Sequence, residues 1–153
     1  MKVSIIGHTG FIGNFLSDNL SSKYEIVNLS LRKENLEDLN KTTIEKIFSS
    51  NTIINCASSL NPKTKNDFYL NEKFLNYLIS LNHNFKRKII HLSSINTLIK
   101  NRLDDYSISK KRCRIARRKH RHWALSLPDS WMFIFHRSST VLYKHTVWTM
   151  SCS

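Results

Sequence analysis

The amino-acid sequence predicts an α/β protein built on a doubly wound parallel sheet that is incomplete at its C-terminal side. Three observations support this. Apolar, β-branched runs alternate with helix-like segments along residues 2–110, as strands and crossover helices do. The first run leads at once into the three glycines of the chain, Gly7, Gly10 and Gly13. From residue 111 onward the alternation stops, so the sheet is expected to lack its last elements.

Each element is predicted from its own residues. Short runs rich in Val and Ile predict strands at residues 3–6, 24–29, 52–57 and 88–92, with a short further strand before Asp38. Apolar residues at helical spacing predict helices at residues 11–20, 41–50 and 67–81. A further helix around Tyr106 is expected to run two or three turns past residue 110.

The glycine turn directly follows the first strand and precedes a helix. Its spacing is G-x-x-G-x-x-G, and such a turn aims free backbone N–H groups and a helix N-terminus at one spot. That spot favours phosphate, which indicates a dinucleotide; a purely structural turn is the alternative. The candidate cofactor-binding residues here are Gly7, Thr9, Gly10, Phe11, Ile12 and Gly13.

The end of the second strand predicts which dinucleotide is bound. An acidic residue there would favour NAD by accepting from the ribose 2′-hydroxyl, but this chain has Ser30 and Arg32. Arg32 can pair with a 2′-phosphate, so NADP is predicted, with NAD or simply solvated cations as alternatives. Asp38 and Leu39 are expected beside the adenine, and Ala57 is expected at the cofactor because it ends a strand.

The segment YSISK carries the predicted chemistry. Tyr106 and Lys110 are four residues apart and share a helix face. An ammonium beside a phenol favours the phenolate, which can then exchange a proton with a substrate hydroxyl or carbonyl. A serine at the end of the strand before it, Ser93 or Ser94, would hold the same oxygen. The alternative is an ordinary surface Tyr and Lys.

Taken together, GHTGFIG, IINCAS, KIIHLSS, YSISK and Asn71 within DFYLNEKFLNYL resemble the extended short-chain dehydrogenase/reductases, the NAD(P)-dependent epimerase/dehydratase family. The resemblance implies a Rossmann-like fold and a nucleotide-activated sugar as substrate. It implies that Ser94 is the catalytic serine, with Ser93 as the alternative. It also implies that Tyr106 is the acid/base and that Lys110 is its partner and contacts the nicotinamide ribose.

The resemblance ends after Lys110, which predicts two parts: an NAD(P)-binding Rossmann-like domain at residues 1–110 and an aberrant basic tail at residues 111–153, with the substrate-binding region missing. The first part has 15 Lys+Arg and 10 Asp+Glu, the second 9 and 1, and the tail contains all three tryptophans. The chain is accordingly interpreted as a truncated enzyme copy. A non-catalytic dinucleotide-binding module is the first alternative, and a nucleic-acid binder through the basic tail is the second.

A frameshift would account for the tail. Every arginine codon has G as its second base, so reading one nucleotide later gives codons for Val, Ala, Asp, Glu or Gly. With permitted codons, residues 111–123 can be recoded as NDAELLVENIDIG, which continues YSISK as an amphipathic helix. On this hypothesis the edge of the KIIHL strand is left uncovered. Alternatively, the aromatic and β-branched residues after Pro128 add a strand.

Composition limits the remaining possibilities. No apolar run is long enough to span a membrane, and no leader is expected at the start of the chain. Cys56, Cys113 and Cys152 are odd in number and lack metal-ligand spacing, so free thiols, no metal and a cytoplasmic location are predicted. Specific nucleic-acid recognition is not expected, and homodimer formation is left open.

Overall fold

The fold is taken from a computed structural model of the 153-residue chain. The structure describes residues 1–94, 100–118, 123–126 and 131–135, with side chains in 1–94 and 100–113. The element order is β1 (Lys2–Ile6), α1 (Phe11–Leu20), β2 (Glu25–Leu29), α2 (Lys41–Phe48), β3 (Thr52–Asn55), α3 (Lys65–Glu72), α4 (Phe74–Phe85), β4 (Lys88–Ser94), α5 (Asp105–Arg118), β5 (Trp123–Ser126) and β6 (Trp131–Phe135).

One sheet organises these elements in the order β2-β1-β3-β4-β6-β5. Strands β2, β1, β3 and β4 are parallel. Strand β1 lies between β2 and β3, so the connections run outward from β1 in both directions. Helices cover both faces. The predicted α/β class with a doubly wound parallel sheet is therefore confirmed.

The tail contributes two strands to this sheet. Strand β6 pairs antiparallel with β4, from Ile90 opposite Phe135 to Ser94 opposite Trp131, and β5 pairs antiparallel with β6. The expectation that the edge of β4 stays uncovered is therefore wrong. Residues 131–135, WMFIF, are all apolar or aromatic. Such a run favours pairing in a sheet over exposure to solvent. The predicted extension of the Tyr106 helix past residue 110 is confirmed, since α5 ends at Arg118.

Two apolar layers hold the sheet. On one face, Val3, Ile5, Ile54 and Leu92 pack with the apolar side of α1. On the other face, a larger cluster joins the sheet to α2, α4 and α5; its members include Ile6, Ile53, Ile89, Phe48, Phe74, Leu78 and Cys113. Burial of this apolar surface, at about 25 cal/mol per Å², is the main force that fixes the strand ends relative to the helices.

Three differences from the predicted elements stand out. Residues 67–81 form not one helix but two, because the chain breaks at Lys73, where φ is −114°. Strand β3 ends at Asn55 instead of Ala57, since β1 turns away after Ile6 and the Cys56 N–H makes the last bond to the Ile6 carbonyl. Residues between β2 and α2 form turns, so the short strand expected before Asp38 is not there. None of the helices described is long and apolar enough to cross a bilayer.

Candidate functional site

The glycine turn touches the end of β3. Gly7 has φ of +85°, which a side chain would strain, and a Cβ there would lie 2.8 Å from the Ala57 N and Cα atoms. A Cβ on Gly13 would overlap the Gly7 carbonyl oxygen and lie 2.7 Å from its carbon. Gly7 and Gly13 therefore have structural roles, since they let β3 and α1 approach the turn.

Gly10 is different, because a Cβ there meets Gly7 O only at an ordinary 3.4 Å. Gly10 is the N-cap of α1 and provides no side-chain cap. The first helical bond runs from the Asn14 N–H to the Gly10 carbonyl at 2.9 Å. The N–H groups of Phe11, Ile12 and Gly13 precede that bond, so they and the helix dipole can hold an anion.

Two pockets, of about 300 and 440 Å³, lie beside this turn, and we call them the two lobes of one crevice. Gly10, Cys56 and Ser58 line both lobes, so the lobes meet at the α1 N-terminus. Two pockets joined by an anion-binding helix end match the form of a dinucleotide, with a nucleoside at each end and a pyrophosphate between. Burial raises the pKa of the Cys56 thiol to about 12. The thiol is therefore neutral at this junction and does not repel a phosphate.

The first lobe contains the residues predicted for the adenosine end. Exposed Ser30 and Arg32, from the end of β2, line it together with Gly7, Thr9 and Ala57. The loop after β2 and helix α3 complete its lining, with Leu31, Leu36, Thr64, Asn66, Asp67 and Leu70.

Asp67 lies in this lobe but is already bound. Its carboxylate accepts from the backbone N–H groups of Thr64 and Lys63, at 3.0 and 3.1 Å, which lowers its pKa. The Thr64 side chain accepts from the Asp67 N–H in return, so the pair forms the capping box that begins α3.

Asp38 and Leu39 are not among the residues that line either lobe. Leu39 is 3% exposed and packs in the larger apolar cluster, and Asp38 is exposed to solvent. Leu36, from the same loop, lines the first lobe. A place for Asp38 and Leu39 beside the adenine therefore stays a prediction.

The second lobe brings the predicted catalytic residues together. Ser93, Ser94, Tyr106 and Lys110 all line it, together with Phe11, Ile12 and Gly13 from the turn. Ser94 is 4% exposed and Lys110 is 1% exposed. The Lys110 ammonium lies 5.9 Å from the centre of the Tyr106 ring, on the same helix face. The arrangement brings two serine hydroxyls, a phenol and an ammonium to the wall of one lobe.

Asp104 fixes the start of the helix that carries Tyr106. Its carboxylate accepts from the Ser107 N–H at 2.9 Å and from the Ser107 hydroxyl at 2.7 Å, which is an N-cap. Arg102 Nε also donates to it at 2.8 Å. These bonds, led by that of the Ser107 hydroxyl, lower the pKa of Asp104 to about 2.

Asn71 links the loop after β3 to helix α5. It is fully buried and accepts from the Ser58 hydroxyl and the Ser59 N–H, both at 3.0 Å. Its amide nitrogen donates to the Ser59 carbonyl at 2.8 Å and to the Ser109 hydroxyl at 3.2 Å. One side chain therefore ties the loop after β3 to the residue before Lys110.

Sequence reasoning missed several crevice residues. Thr64 and Asp67 could have been found, because T-x-x-D before an apolar run is a helix-start pattern. Cys56 and Leu36 could not, since their place depends on where β3 ends and where the loop after β2 turns. Among the described residues, no group of three His, Cys, Asp or Glu side chains could hold a metal ion.

No protein-family model matches the chain, and no curated protein is significantly similar to it in sequence. Among solved structures, it matches a short-chain dehydrogenase/reductase superfamily protein from Agrobacterium tumefaciens with bound NAD, at a TM-score of 0.66 and 14% identity over 78% of this chain and 45% of that one. It also matches UDP-glucuronic acid 4-epimerase from Bacillus cereus in complex with NAD, at a TM-score of 0.59 and 17% identity over 78% and 52%. UDP-glucose 4-epimerase from Thermotoga maritima, with UDP-glucose, gives a TM-score of 0.60 and 17% identity over 78% and 50%.

These matches define the class of the fold, which is Rossmann-like α/β. The same fold is found in short-chain dehydrogenase/reductases and in sugar epimerases, as the resemblance of the sequence motifs predicted. The chain spans about half the length of each of these structures.

Proposed function

We propose that the chain is an NAD(P)-binding protein of the epimerase/dehydratase type that acts on a nucleotide-activated sugar. The observation that supports this best is the crevice itself: two lobes meet at an uncapped helix N-terminus, and the second lobe contains Ser94, Tyr106 and Lys110. Two of the solved structures of this fold contain NAD and another contains UDP-glucose.

In this proposal the cofactor lies along the crevice, with its pyrophosphate on the N–H groups of Phe11, Ile12 and Gly13. The nicotinamide supplies hydride transfer when it is bound. Tyr106 exchanges a proton with the substrate hydroxyl or carbonyl, while the Lys110 ammonium stabilises the phenolate. The hydroxyl of Ser94, or of Ser93 as the alternative, donates to the same substrate oxygen.

The experiment that tests the proposal is calorimetric titration of the full chain with NADPH and with NADH. Binding of either supports a dinucleotide crevice. Turnover of UDP-glucose or UDP-glucuronic acid that is lost in Tyr106→Phe would add the catalytic role. Binding without turnover would point to the non-catalytic module, and absence of binding to both cofactors would refute the proposal.

The preference for NADP rests on Arg32, which lines the first lobe beside Ser30. This lobe is called the adenosine lobe from here on. If Arg32 pairs with a 2′-phosphate, Arg32→Ala should weaken NADPH binding roughly ten- to a hundredfold, the effect of losing a hydrogen bond to a charged group. NADH binding should hardly change. Lys33→Ala is the matched control, because Lys33 is a neighbouring exposed cation that does not line the lobe. Equal losses for both cofactors in Arg32→Ala would remove the NADP preference.

A further inference from the structure

A buried polar pair lies behind the crevice, and the proposed chemistry does not use it. Asn55 ends β3 and is fully buried, and His91, its register partner on β4, is 2% exposed. The Asn55 amide nitrogen lies 3.2 Å from His91 Nδ1. The amide of Asn55 and the ring of His91 can each donate or accept at this contact. A neighbouring group determines which of the two donates.

That neighbour is the backbone N–H of Ala57, which lies 3.1 Å from Asn55 Oδ1. A backbone N–H can only donate, so Oδ1 must accept and the amide Nδ2 must be the donor towards His91. A donor facing Nδ1 requires that this nitrogen carry no proton. In this arrangement the imidazole is neutral, with its one ring proton on Nε2.

The far end of this chain of bonds is the crevice wall. Ala57 lines the adenosine lobe, and its N and Cα atoms are the ones that a Cβ on Gly7 would meet at 2.8 Å. The bond from Ala57 to Asn55 leaves the strand ladder, which ends at Cys56. Asn55 therefore sets the position of the backbone against which the glycine turn packs.

We propose that Asn55 is a positioning residue of the dinucleotide crevice and that His91 makes its hold on Ala57 dependent on pH. The inference rests on the proposed function. A proton on Nδ1 would put two donors face to face, and turning the amide over would instead put its NH₂ against the Ala57 N–H. In either arrangement one buried donor loses its acceptor, so acidification loosens the wall of the adenosine lobe.

The titratable groups near His91 come from the elements that pack against β4 and its layer. Strand residues alternate, so His91 lies on the same face as Ile89, which packs in the layer of α4 and α5. Strands β3 and β6 contain no titratable side chain. Helices α3 and α4 contribute the half-buried Tyr69 and Tyr77 to this layer. Glu72 of α3 forms an ion pair with Arg112 of α5. The helix that packs on β4 is α5, whose titratable residues are Asp105, Tyr106, Lys110, Lys111, Arg112, Cys113, Arg114, Arg117 and Arg118.

The first test measures the affinity of the full chain for NAD between pH 8 and pH 5, the range in which imidazole changes charge. NAD is used because it lacks a 2′-phosphate that itself titrates. The expected loss on acidification is roughly tenfold, the effect of one buried donor left without a partner. His83→Gln should keep this profile, because His83 is exposed on α4.

The Asn55→Asp variant tests whether the hydrogen bonds of residue 55, and not its size alone, position Ala57. A carboxylate still accepts from the Ala57 N–H, but its other oxygen can only accept from His91, so the proton moves to Nδ1. This variant should bind NAD at pH 8 and show no loss at pH 5. An unchanged, wild-type pH profile in Asn55→Asp, or a flat profile in the wild type, would overturn the proposal.

A second measurement is independent of cofactor binding and of how the variant folds. In ¹⁵N-histidine-labelled wild type at neutral pH, His91 should show an unprotonated Nδ1 and a protonated Nε2. On acidification, the hydrogen-exchange protection factor of the Ala57 amide should fall while that of the Cys56 amide, which bonds to Ile6 O, stays high. If these results hold but NAD does not bind, the dinucleotide function fails and the pH-dependent hold of Asn55 on Ala57 stands. A proton on Nδ1 of His91 at neutral pH would refute that hold whatever the cofactor result.

Discussion

At the scale of single residues, the three glycines of the turn do different work. Gly7 and Gly13 lie against backbone atoms, so a side chain there disturbs the fold itself. Gly10 has extended backbone, with φ of −85° and ψ of 164°, which any residue adopts, and its free side borders both lobes of the crevice. The spacing of the glycines was readable in the sequence, but this division of roles was not.

We therefore expect Gly10→Val to fold normally and to bind dinucleotide poorly. The Val side chain suits extended backbone, yet its methyl groups would enter the path of the pyrophosphate and keep it from the N–H groups of α1. Losing such charge-assisted bonds should weaken binding roughly ten- to a hundredfold. Thermal unfolding and calorimetry measure the two effects separately.

Gly7→Ala is the matched contrast. It places a side chain at positive φ and within 2.8 Å of Ala57, so its melting temperature should fall while that of Gly10→Val stays close to wild type. Normal dinucleotide affinity in Gly10→Val would show that the phosphate path does not pass this residue.

At the scale of elements, the strands that begin the crossovers were predictable because β-branched runs and the glycine turn mark them locally. The break at Lys73 was not, since nothing in its side chain interrupts a helix. The pairing of Asn55 with His91 depends on strand register, which single segments do not encode. Tyr106 and Lys110 were predicted as neighbours because helix geometry alone brings residues four apart together.

The start of α5 gives a prediction at this scale. Asp104 has a depressed pKa, so the stability from its cap is fully present above its ordinary value near 3.8 and is lost as pH falls through about 2. At neutral pH, Asp104→Ala should increase hydrogen exchange of the Ser107 amide, whose bond to the carboxylate it removes. Asp104→Asn should restore most of the protection, because asparagine also caps helices.

Asp105→Ala is the control, because Asp105 is the next exposed acid and follows the cap within the same helix. It should leave the Ser107 amide nearly unchanged. An NMR titration of the Asp104 carboxyl should give the midpoint near 2; a midpoint at the ordinary value would show that the cap does not form in solution.

At the scale of the whole molecule, the chain divides by charge. Residues 111–153 have 9 Lys+Arg and 1 Asp+Glu in 43 positions, and α5 continues into this part with Lys110, Arg114 and Arg118 at successive i,i+4 positions. Like charges at that spacing repel by about 0.2–0.5 kcal/mol per pair. Strand β6 nevertheless pairs along β4, so this part of the chain has a place in the sheet.

We propose that residues 111–153 are read in a shifted frame, since one shift accounts for the arginines, the tryptophans and the loss of family resemblance together. The gene should then encode, one nucleotide later from codon 111, a helix of the NDAELLVE kind that replaces the row of cations on α5 with acidic and apolar residues. Restoring that frame should give a longer, more soluble chain that still binds dinucleotide.

The present chain should bind polyanions without sequence preference, and its affinity should fall steeply as salt rises. DNA sequencing around codon 111 checks the proposal directly. A shifted frame that stops within a few codons would contradict it, and β6 would then be a native strand of this protein rather than an accidental one.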